Sequence, residues 1–347
     1  MLSFCPVFPE LRLLLFFKEG FFDKIKDMDN AEKERLIVID GNALVHRAFH
    51  ALPPLTTKKG ELVNAIYGFL LVFLRALREL KPEFVVAAFD FPAPSFRHKK
   101  YKEYKATRKK APEELYLQIP KTKEIIQSFD VKVFEKEGYE ADDIIGTVAR
   151  SVSRDKKLDN VETIIITGDL DTLQLVGKNT RVYALKKGVK DIVLYNENSV
   201  KKRYGGLKPE QLNDFKALRG DPSDNIPGVL GIGEKTAIAL IGSFGSIENL
   251  YKNLEEKGKK TDKIKPGLKK KLLDHKDKAF LSKTLLELRY DVPIDFDLEK
   301  CRWQDYEKNK VEEVFNQYGF RSLIGRLPGA AEIEDNKRTG SEQLKIV

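Results

Sequence analysis

Residues that build disulfide frameworks and zinc sites are scarce in this sequence. Its 347 residues include two cysteines, Cys5 and Cys301, which lie far apart. This excludes a disulfide scaffold and a cysteine-based zinc site, and it is typical of a reducing compartment such as the cytoplasm. Of the four histidines, His46 and His50 have the i,i+4 spacing of a metalloprotease motif. Arg47 stands where that motif needs glutamate, so we interpret both as non-metal residues.

Long apolar runs are absent from the sequence as well. No run reaches the roughly 18–20 residues that a transmembrane helix needs, so we expect no membrane partner. The apolar stretch at 11–17 lacks the basic flank and cleavage site of a secretory signal, and we interpret residues 1–34 as an N-terminal extension. We expect either that Met28 is the native start or that residues 1–27 are poorly ordered. A membrane anchor is the remaining alternative.

Charge is plentiful and unevenly placed. Lysine and arginine number 62 against 53 aspartate and glutamate, a net charge of +9. Residues 97–110 hold 8 basic and 1 acidic residues, and residues 252–278 hold 11 and 5, so the two patches carry +13 and the rest carries −4. Basic patches beside an acidic remainder indicate a polyanionic partner and a separate acid-rich site. Hydrophobic residues make up 41%, enough to bury a core in about two domains.

Strand and helix patterns alternate over the first part of the chain. Short apolar runs predict buried strands at 36–40, 84–89, 131–134, 163–167, 181–185 and 191–195. Helical spacing of apolar residues recurs between them at 61–80, 113–129, 141–153 and 171–176. This alternation predicts an α/β fold with a mostly parallel sheet and helices on both faces.

After about residue 205 the strand patterns stop. Helical spacing predicts helices at 208–219, 233–241, 246–254, 266–274, 276–288 and 308–318. We therefore divide the chain into an extension at 1–34, an α/β core at 35–205, a helical region at 206–328 and a polar tail or linker at 329–347.

Acidic residues follow the predicted strands. Because the carboxyl ends of parallel strands meet at one edge of a sheet, where α/β proteins bind ligands, acids at those ends should converge. The seven acids at or near strand ends are Asp40, Asp90, Glu140, Asp142, Asp143, Asp169 and Asp171. Asp221 and Asp224 form a further pair, three residues apart, in the helical region.

So many ionised carboxylates can share a site only if cations neutralise them. Mg²⁺ binds carboxylate oxygens, and two such ions about 4 Å apart assist phosphodiester hydrolysis by activating water and stabilising the leaving oxygen. Taken singly, the acids have structural explanations: Asp142 and Asp143 suit the first turn of a helix, and Asp171 suits an N-cap. Their grouping favours a metal site.

A glycine-rich segment, NIPGVLGIGEKTAIAL at 225–240, leads into a predicted helix. It is not a Walker A loop, because Glu234 separates the last glycine from Lys235. It is not a dinucleotide-binding fingerprint, because Thr236 replaces the final small residue and no strand precedes it. Backbone N–H groups at such a turn can receive a phosphate without reading a base, with Lys235 assisting. A packing joint between two helices is the alternative.

The first basic patch interleaves cations with aromatic residues, among them Arg97, Tyr104, Lys105 and Arg108. Aromatic rings can stack on bases while lysine and arginine contact phosphates. The patch has no apolar periodicity, so we expect it to be exposed. It follows Asp90 closely and should lie near the metals. A plain solvated surface is the alternative.

Several motifs, in order along the chain, resemble those of a known family. They are VIDGNALVHRAFHALP, VVAAFDFPAPSFRHKKYKEYKATR, EGYEADDIIGTVA, TIIITGDLDTLQLV and LRGDPSDNIPGVLGIGEKTA. Over about residues 35–328 the chain resembles the 5′-nuclease domain of bacterial DNA polymerase I, a family of 5′→3′ exonucleases and flap endonucleases. The resemblance implies a PIN-like α/β core with a helical arch near 95–115, followed by a helix–three-turn–helix DNA-binding region.

The resemblance also implies roles for individual residues. All nine acids match metal-site acids of the family, with Asp221 and Asp224 completing the second metal site. The residues that match basic groups of the arch or near the scissile phosphate are Lys105, Arg108, Arg47 and Arg97. The expected DNA-binding residues are Tyr104, Gly228, Gly231, Gly233, Lys235 and Thr236.

The implied cofactors are two Mg²⁺ or Mn²⁺ ions, with K⁺ at the glycine-rich turn. The implied partner is DNA with 5′ flaps, nicks or 5′ ends, with RNA primers as a further candidate substrate, bound by a monomer at the bacterial nucleoid. A non-catalytic structure-specific DNA-binding module and a PIN-type ribonuclease are the two alternative functions. Because the sequence stops at 347, before the further domains of a polymerase, we expect a stand-alone nuclease or the N-terminal part of a longer protein.

Overall fold

The computed structural model describes residues 33–303 and 306–328. The predicted extension, apart from residues 33 and 34, and the predicted tail lie outside the described residues. From Glu34 onward the described chain forms one compact unit. Within it, no helix combines the length and apolar character of a membrane span.

A six-stranded sheet forms the centre of this unit. Its strands are β1 (Glu34–Asp40), β2 (Phe84–Ala88), β3 (Lys132–Phe134), β4 (Val161–Thr167), β5 (Thr180–Lys187) and β6 (Asp191–Tyr195). The spatial order is β3-β2-β1-β4-β5-β6, and every neighbouring pair is parallel except β5–β6. The predicted α/β fold with a mostly parallel sheet is confirmed.

Helices accompany the sheet and then replace it. Those before residue 205 are α1 (Gly41–Ala51), α2 (Asn64–Leu80), α3 (Phe96–Lys100), α4 (Glu113–Tyr116), α5 (Gln118–Gln127), α6 (Ala141–Arg154) and α7 (Glu197–Arg203). Those after it are α8 (Leu212–Arg219), α9 (Glu234–Phe244), α10 (Ile247–Glu255), α11 (Pro266–Asp274), α12 (Lys276–Leu286), α13 (Lys308–Tyr318) and α14 (Arg321–Ile324). Short 3-10 helices include Leu170–Leu175 and Pro209–Gln211.

Apolar burial explains why the strands form where they do. Every residue of β2 and β4 is buried, as expected for strands covered on both faces. The sheet order changes direction at β1, which has β2 on one side and β4 on the other. In open parallel sheets ligands bind beyond the carboxyl ends of the strands at such a switch point. Asp40, the last residue of β1, therefore lies at the expected ligand position.

The local predictions differ from the structure at several helices, and α7 and α14 were not predicted. The helix predicted at 113–129 is two helices that meet at Leu117. Helix α1 was not predicted, because its apolar residues are interrupted by His46, Arg47 and His50. It forms directly after β1, with Asp40 as its N-cap.

The predicted helical arch near 95–115 is helical at its two ends, in α3 and α4, and consists of turns and irregular backbone between them. The expectation that the basic patch is exposed is wrong for two of its residues, since Arg97 is 2% exposed and Tyr104 is 4% exposed. Both carry polar groups that are satisfied by buried acids, an arrangement that a sequence pattern does not reveal.

The end of the described chain returns to the α/β core. Trp303 donates its backbone N–H to the carbonyl of Glu83 at 2.7 Å. The ring of Phe315 in α13 lies 5.9 Å from that of Phe129, and the Tyr67 hydroxyl lies 3.0 Å from that of Ser322. Helices α13 and α14, which we assigned to the helical region, thus pack on the core near α2.

Candidate active site

A cleft of about 370 Å³ opens at the carboxyl edge of the sheet. Seven of the nine predicted metal-site acids line it: Asp40, Asp90, Glu140, Asp142, Asp169, Asp171 and Asp224. Three of the four predicted basic residues, Arg47, Lys105 and Arg108, line it too. Acids thus outnumber bases by more than two to one, and segments far apart in sequence supply them.

Backbone and hydroxyl groups hold the acids at the switch point. Asp40 accepts a hydrogen bond from the backbone N–H of Ala43 at 3.0 Å and another from the hydroxyl of Thr167 at 2.6 Å. Asp169 caps the 3-10 helix that follows β4 by accepting from the N–H of Asp171 at 2.9 Å. The N-cap that we considered for Asp171 is therefore made by Asp169, which leaves Asp171 inside the cleft.

A second pair of contacts fixes the acids of β2 and α6. Asp90 accepts a hydrogen bond from the N–H of Ala141, the first residue of α6, at 2.7 Å. Its own N–H donates to the side-chain oxygen of Asn42 at 3.1 Å. The start of α6 is thereby held against the end of β2, and Asp142 is brought beside the acids of the switch point.

Part of this cluster has too little positive charge around it, so burial and repulsion between the carboxylates raise its pKa values. Burial, reinforced by Asp169 and Asp90, raises the pKa of Asp40 to about 7. Burial and the charge of Asp169 raise the pKa of Asp171 to about 7, although Lys216 opposes the shift. Burial and the charges of Asp40 and Asp169 also raise the pKa of Asp142 well above its usual range.

Other acids of the group are already paired with cations. Lys105 Nζ lies 2.9 Å from Glu140 Oε2, and Lys105 and Arg97 hold the pKa of Glu140 at about 2 against the opposing effect of burial. Lys216 of α8 bridges Asp171 and Asp221 and lies 2.7 Å from an oxygen of Asp221. Burial raises the pKa of Asp221, but Lys216 and Ser223 outweigh it and hold that pKa at about 2.

The donor set fits hard divalent cations. The cleft presents carboxylate oxygens in excess over basic groups, which is the composition that Mg²⁺ and Mn²⁺ sites require. Across residues 33–303 and 306–328, no three acidic, histidine or cysteine side chains already surround a common point closely enough to hold a metal. Binding of a divalent ion by these acids would therefore require their side chains to rotate.

Arg97 and Asp143 depart from their predicted roles. The Arg97 guanidinium donates two hydrogen bonds to the Asp143 carboxylate, at 2.7 and 2.8 Å, and two more to the carbonyls of Leu285 and Glu287. Asp143 is 0% exposed and also accepts from the N–H of Arg289 at 2.9 Å. This buried pair joins α6 to the end of α12. It presents neither a metal ligand nor a phosphate contact to the cleft.

Tyr104 and Gly228 are also not placed to make the DNA contacts that we predicted for them. The buried Tyr104 hydroxyl donates to Glu140 at 3.1 Å and to Asp224 at 3.2 Å, so its ring is not available to stack on a base. Gly228 has φ +61°, and a Cβ there would lie 2.2 Å from the backbone nitrogen of Gly220. Its own N–H donates to the Ser282 hydroxyl at 3.0 Å. Gly228 therefore shapes the turn instead of receiving a phosphate.

The rest of the glycine-rich turn is open. Gly231, Gly233 and Lys235 are exposed, and Gly233 is the N-cap of the eleven-residue helix α9. A Cβ at Gly231 would lie 2.9 Å from Nζ of Lys271, so the second basic patch reaches this turn. Thr236 is half-buried on the first turn of α9.

Sequence reasoning missed Asn42, Thr167 and Lys216. Asn42 follows the strand-end Asp40 by two residues and Thr167 is the last residue of β4, so a search for all polar residues at strand ends would have found both. Lys216 comes directly after the buried Phe215 in α8, and no local pattern marks it. Its role arises from the packing of α8 beside the cleft.

Replacing Arg97 tests its structural role. Arg97→Ala leaves the fully buried Asp143 charge without its partner, so we expect the free energy of unfolding to fall by about 3–5 kcal/mol. Urea unfolding in EDTA measures this loss, with Arg108→Ala, at a partly exposed side chain, as the control of small effect. Unchanged stability together with lost activity would restore the catalytic role that we predicted from sequence.

The raised pKa values predict how the stability of the metal-free protein depends on pH. Because the folded pKa of Asp40 and Asp171 is about 7, against 3.8 for the ordinary group, the folded state binds protons that the unfolded state has released. Their stabilising contribution is complete below about pH 4 and is lost as the pH rises through about 7. We expect the Tm in EDTA to fall from about pH 5 to about pH 8, and Mg²⁺ to raise it more at the higher pH.

Asp171→Asn is the matched control for this pH dependence, since it removes one titrating group and keeps the side-chain shape. The variant should show a flatter pH profile and a smaller stabilisation by Mg²⁺. A Mg²⁺ effect of equal size at both pH values in both proteins would contradict the prediction.

Comparison with known proteins agrees with this architecture. The family described as 5′-3′ exonuclease, N-terminal resolvase-like domain, matches residues 35–205, and its partner, the C-terminal SAM fold, matches residues 207–309. DNA polymerase I of Bacillus subtilis is 41% identical over 318 residues, which are 91% of this chain and 35% of that protein. DNA polymerase I of Caldicellulosiruptor bescii is 44% identical over 303 residues, 86% of this chain and 34% of that protein. The chain thus spans about a third of the length of these relatives.

Solved structures share the fold. The flap endonuclease D15 of bacteriophage T5 superposes with a TM-score of 0.60 at 18% identity, over 82% of this chain and 100% of that chain. The catalytic core of Rad2 gives 0.53 at 17% identity, over 86% and 93%, and human GEN1 gives 0.54 at 13%, over 87% and 73%. These similarities support the fold alone. The two matched domains and the polymerase I relatives show that this chain belongs to the 5′-3′ exonuclease family.

Proposed function

We propose that this chain is a divalent-metal-dependent 5′ nuclease that hydrolyses phosphodiester bonds at 5′ ends and flaps of duplex DNA. The observation that carries the proposal is the cleft itself, where seven acids meet Lys105 and Arg108 at the edge of the sheet. A non-catalytic DNA-binding module would not need acids whose pKa values are raised by one another. The exposed glycine-rich turn in a second region favours duplex DNA over the single-stranded substrates of a PIN-type ribonuclease.

The residues proposed to hold two Mg²⁺ or Mn²⁺ ions are Asp40, Asp90, Glu140, Asp142, Asp169, Asp171, Asp221 and Asp224. When bound, the ions would supply activation of water and stabilisation of the leaving 3′ oxygen. The T5 flap endonuclease has been crystallised with DNA and metal ions, and the T5 5′-exonuclease with zinc. Asp143 is left out of the set because Arg97 and backbone groups occupy both of its oxygens.

Basic residues at the mouth of the cleft are proposed to contact the scissile phosphate. Lys105 and Arg108 now pair with Glu140 and Asp224, and both can exchange these carboxylates for a phosphate when cations neutralise the acids. Arg47 donates to the Gly168 carbonyl at 3.0 Å and faces the same cleft. Positive groups placed around the phosphate offset the charge that develops during hydrolysis.

The open part of the glycine-rich turn is proposed to bind the backbone of the duplex. Gly231, Gly233, Lys235 and Thr236 lie around the N-terminus of α9, where N–H groups favour a phosphate. K⁺ is proposed to bind at the same turn. Lys271 extends the positive surface, which gives the second basic patch a role that its sequence left undetermined.

The biological setting follows from the relatives. Because these are bacterial DNA polymerases of which the chain matches the N-terminal third, we propose a role in replication and repair. The substrates would be nicked and flapped DNA and RNA primers, cleaved by a monomer in the cytoplasm at the nucleoid.

Removing two acids of the cleft tests the catalytic proposal. Asp169→Ala combined with Asp171→Ala should abolish cleavage of a 5′-flap substrate in Mg²⁺ and leave binding at low salt intact, because the duplex contacts lie in the helical region. Cleavage of labelled flaps and binding by anisotropy measure the two effects. Undiminished cleavage would refute the site, and binding without cleavage by the wild type would support the non-catalytic module.

Lys271 tests the proposed duplex surface. Each phosphate contact contributes about 0.9 to the slope of log K against log salt concentration, so Lys271→Ala should weaken duplex binding and reduce that slope by about 1. Lys276→Ala is the matched control, since Lys276 lies in the same patch but pairs with Glu255. Equal slopes for the wild type and Lys271→Ala would remove Lys271 from the interface.

A further inference from the structure

The segment at 101–110, which we call the arch segment, is hydrogen-bonded to the loop at 221–225. The backbone N–H of Lys105 donates to the carbonyl of Asp224 at 2.9 Å. The side-chain amide of Asn225 donates to the carbonyl of Glu103 at 2.7 Å. These two bonds attach the backbone of the arch segment to the loop on either side of Tyr104.

Side chains of the arch segment contact the same loop. Arg108 Nε donates to the Ser223 carbonyl at 3.2 Å, and its guanidinium pairs with Asp224. The Tyr104 hydroxyl donates to Asp224 at 3.2 Å. Each of these three contacts involves Arg108 or Asp224, which bind phosphate and metal in the proposed reaction. The bond from Asn225 to Glu103 involves none of them.

The backbone at both ends of this attachment has an unusual conformation. Lys105 and Asn225 each have φ +56°, in the left-handed region. Asparagine adopts that region more readily than most residues, whereas lysine is rarely found there. The conformation of Lys105 therefore depends on the bonds that flank it, and Lys105 Nζ reaches Glu140 from this position.

We propose that Asn225 is a positioning residue that fastens the arch segment to the loop carrying Asp221 and Asp224. The bond keeps Lys105 and Arg108 over the cleft when their own ion pairs are exchanged for substrate. This inference rests on the proposed nuclease function for its effect on turnover, but the attachment itself is independent of catalysis.

Two variants of Asn225 test the proposal. Asn225→Gly and Asn225→Asp both remove the N–H donor, and both tolerate a left-handed backbone. Asp130→Gly is the matched control, because Asp130 also has positive φ, is exposed and lies outside the cleft. Equal Tm values for the variants and the wild type would show that the fold is intact.

The first measurement is the rate of trypsin cleavage between residues 99 and 110 without DNA, followed by mass spectrometry, because this stretch is rich in lysine and arginine. We expect both Asn225 variants to be cut about fivefold faster, the factor that one uncharged hydrogen bond contributes. The second measurement is flap cleavage, where kcat should fall by a similar factor while KM changes less than about twofold. Asp130→Gly should match the wild type in both.

The outcomes separate this inference from the proposed function. Unchanged tryptic cleavage of the arch segment in both Asn225 variants would overturn the attachment, whatever the activity. Faster tryptic cleavage with unchanged kcat would overturn the positioning role. A wild-type protein that cleaves no flap would refute the nuclease proposal, and the tryptic rates would still decide whether Asn225 holds the arch segment.

Discussion

Carboxylates gathered at one edge of a sheet repel one another unless positive charge is brought among them. Parallel strands make the gathering unavoidable, since β1, β2 and β4 end at the same edge, and each either ends in an aspartate or is followed closely by one. The fold supplies two kinds of compensation and leaves some of the charge without any. Arg97 neutralises Asp143 permanently inside the core, Lys105 and Lys216 pair with other acids at positions open to exchange, and the remainder is uncompensated, which is why the pKa of Asp40 rises.

The difference between permanent and exchangeable pairs follows from burial. The Arg97–Asp143 pair is buried, and its hydrogen bonds use both carboxylate oxygens of Asp143 and most of the guanidinium N–H groups of Arg97. Removing either residue therefore leaves an unpaired buried charge, which is costly. Its benefit is positional: it fixes the first turn of α6, and with it Asp142, against α12. Lys105 and Arg108 are more exposed, so the surrounding water lowers the cost of the proposed exchange of a carboxylate for a phosphate.

Much of the fold and of the cleft was predictable because the carboxyl ends of parallel strands meet at one edge of a sheet. The fold class, the strand positions and the convergence of Asp40, Asp90 and Asp169 followed from apolar runs that end in acids. The roles of Arg97 and Asp143 were not predictable, because Asp142 and Asp143 lie only about 100° apart on the first turn of α6, and the sequence does not say which of the two faces the interior and pairs with Arg97. Lys216 escaped for a related reason, since its partners come together only when α8 packs beside the sheet.

The sheet edge alone does not complete the site. Asp224 belongs to the helical region, yet it lines the cleft and pairs with Arg108 of the arch segment. The loop that holds it runs directly into the glycine-rich turn, where Gly228 packs against Gly220 so closely that no side chain would fit. The surface that we propose to receive the duplex backbone is thus joined by a few closely packed residues to a carboxylate of the cleft. In the proposed reaction, this closely packed loop would set the spacing between the duplex and the phosphate that reacts, so the packing of the second region against the first would govern where cleavage occurs.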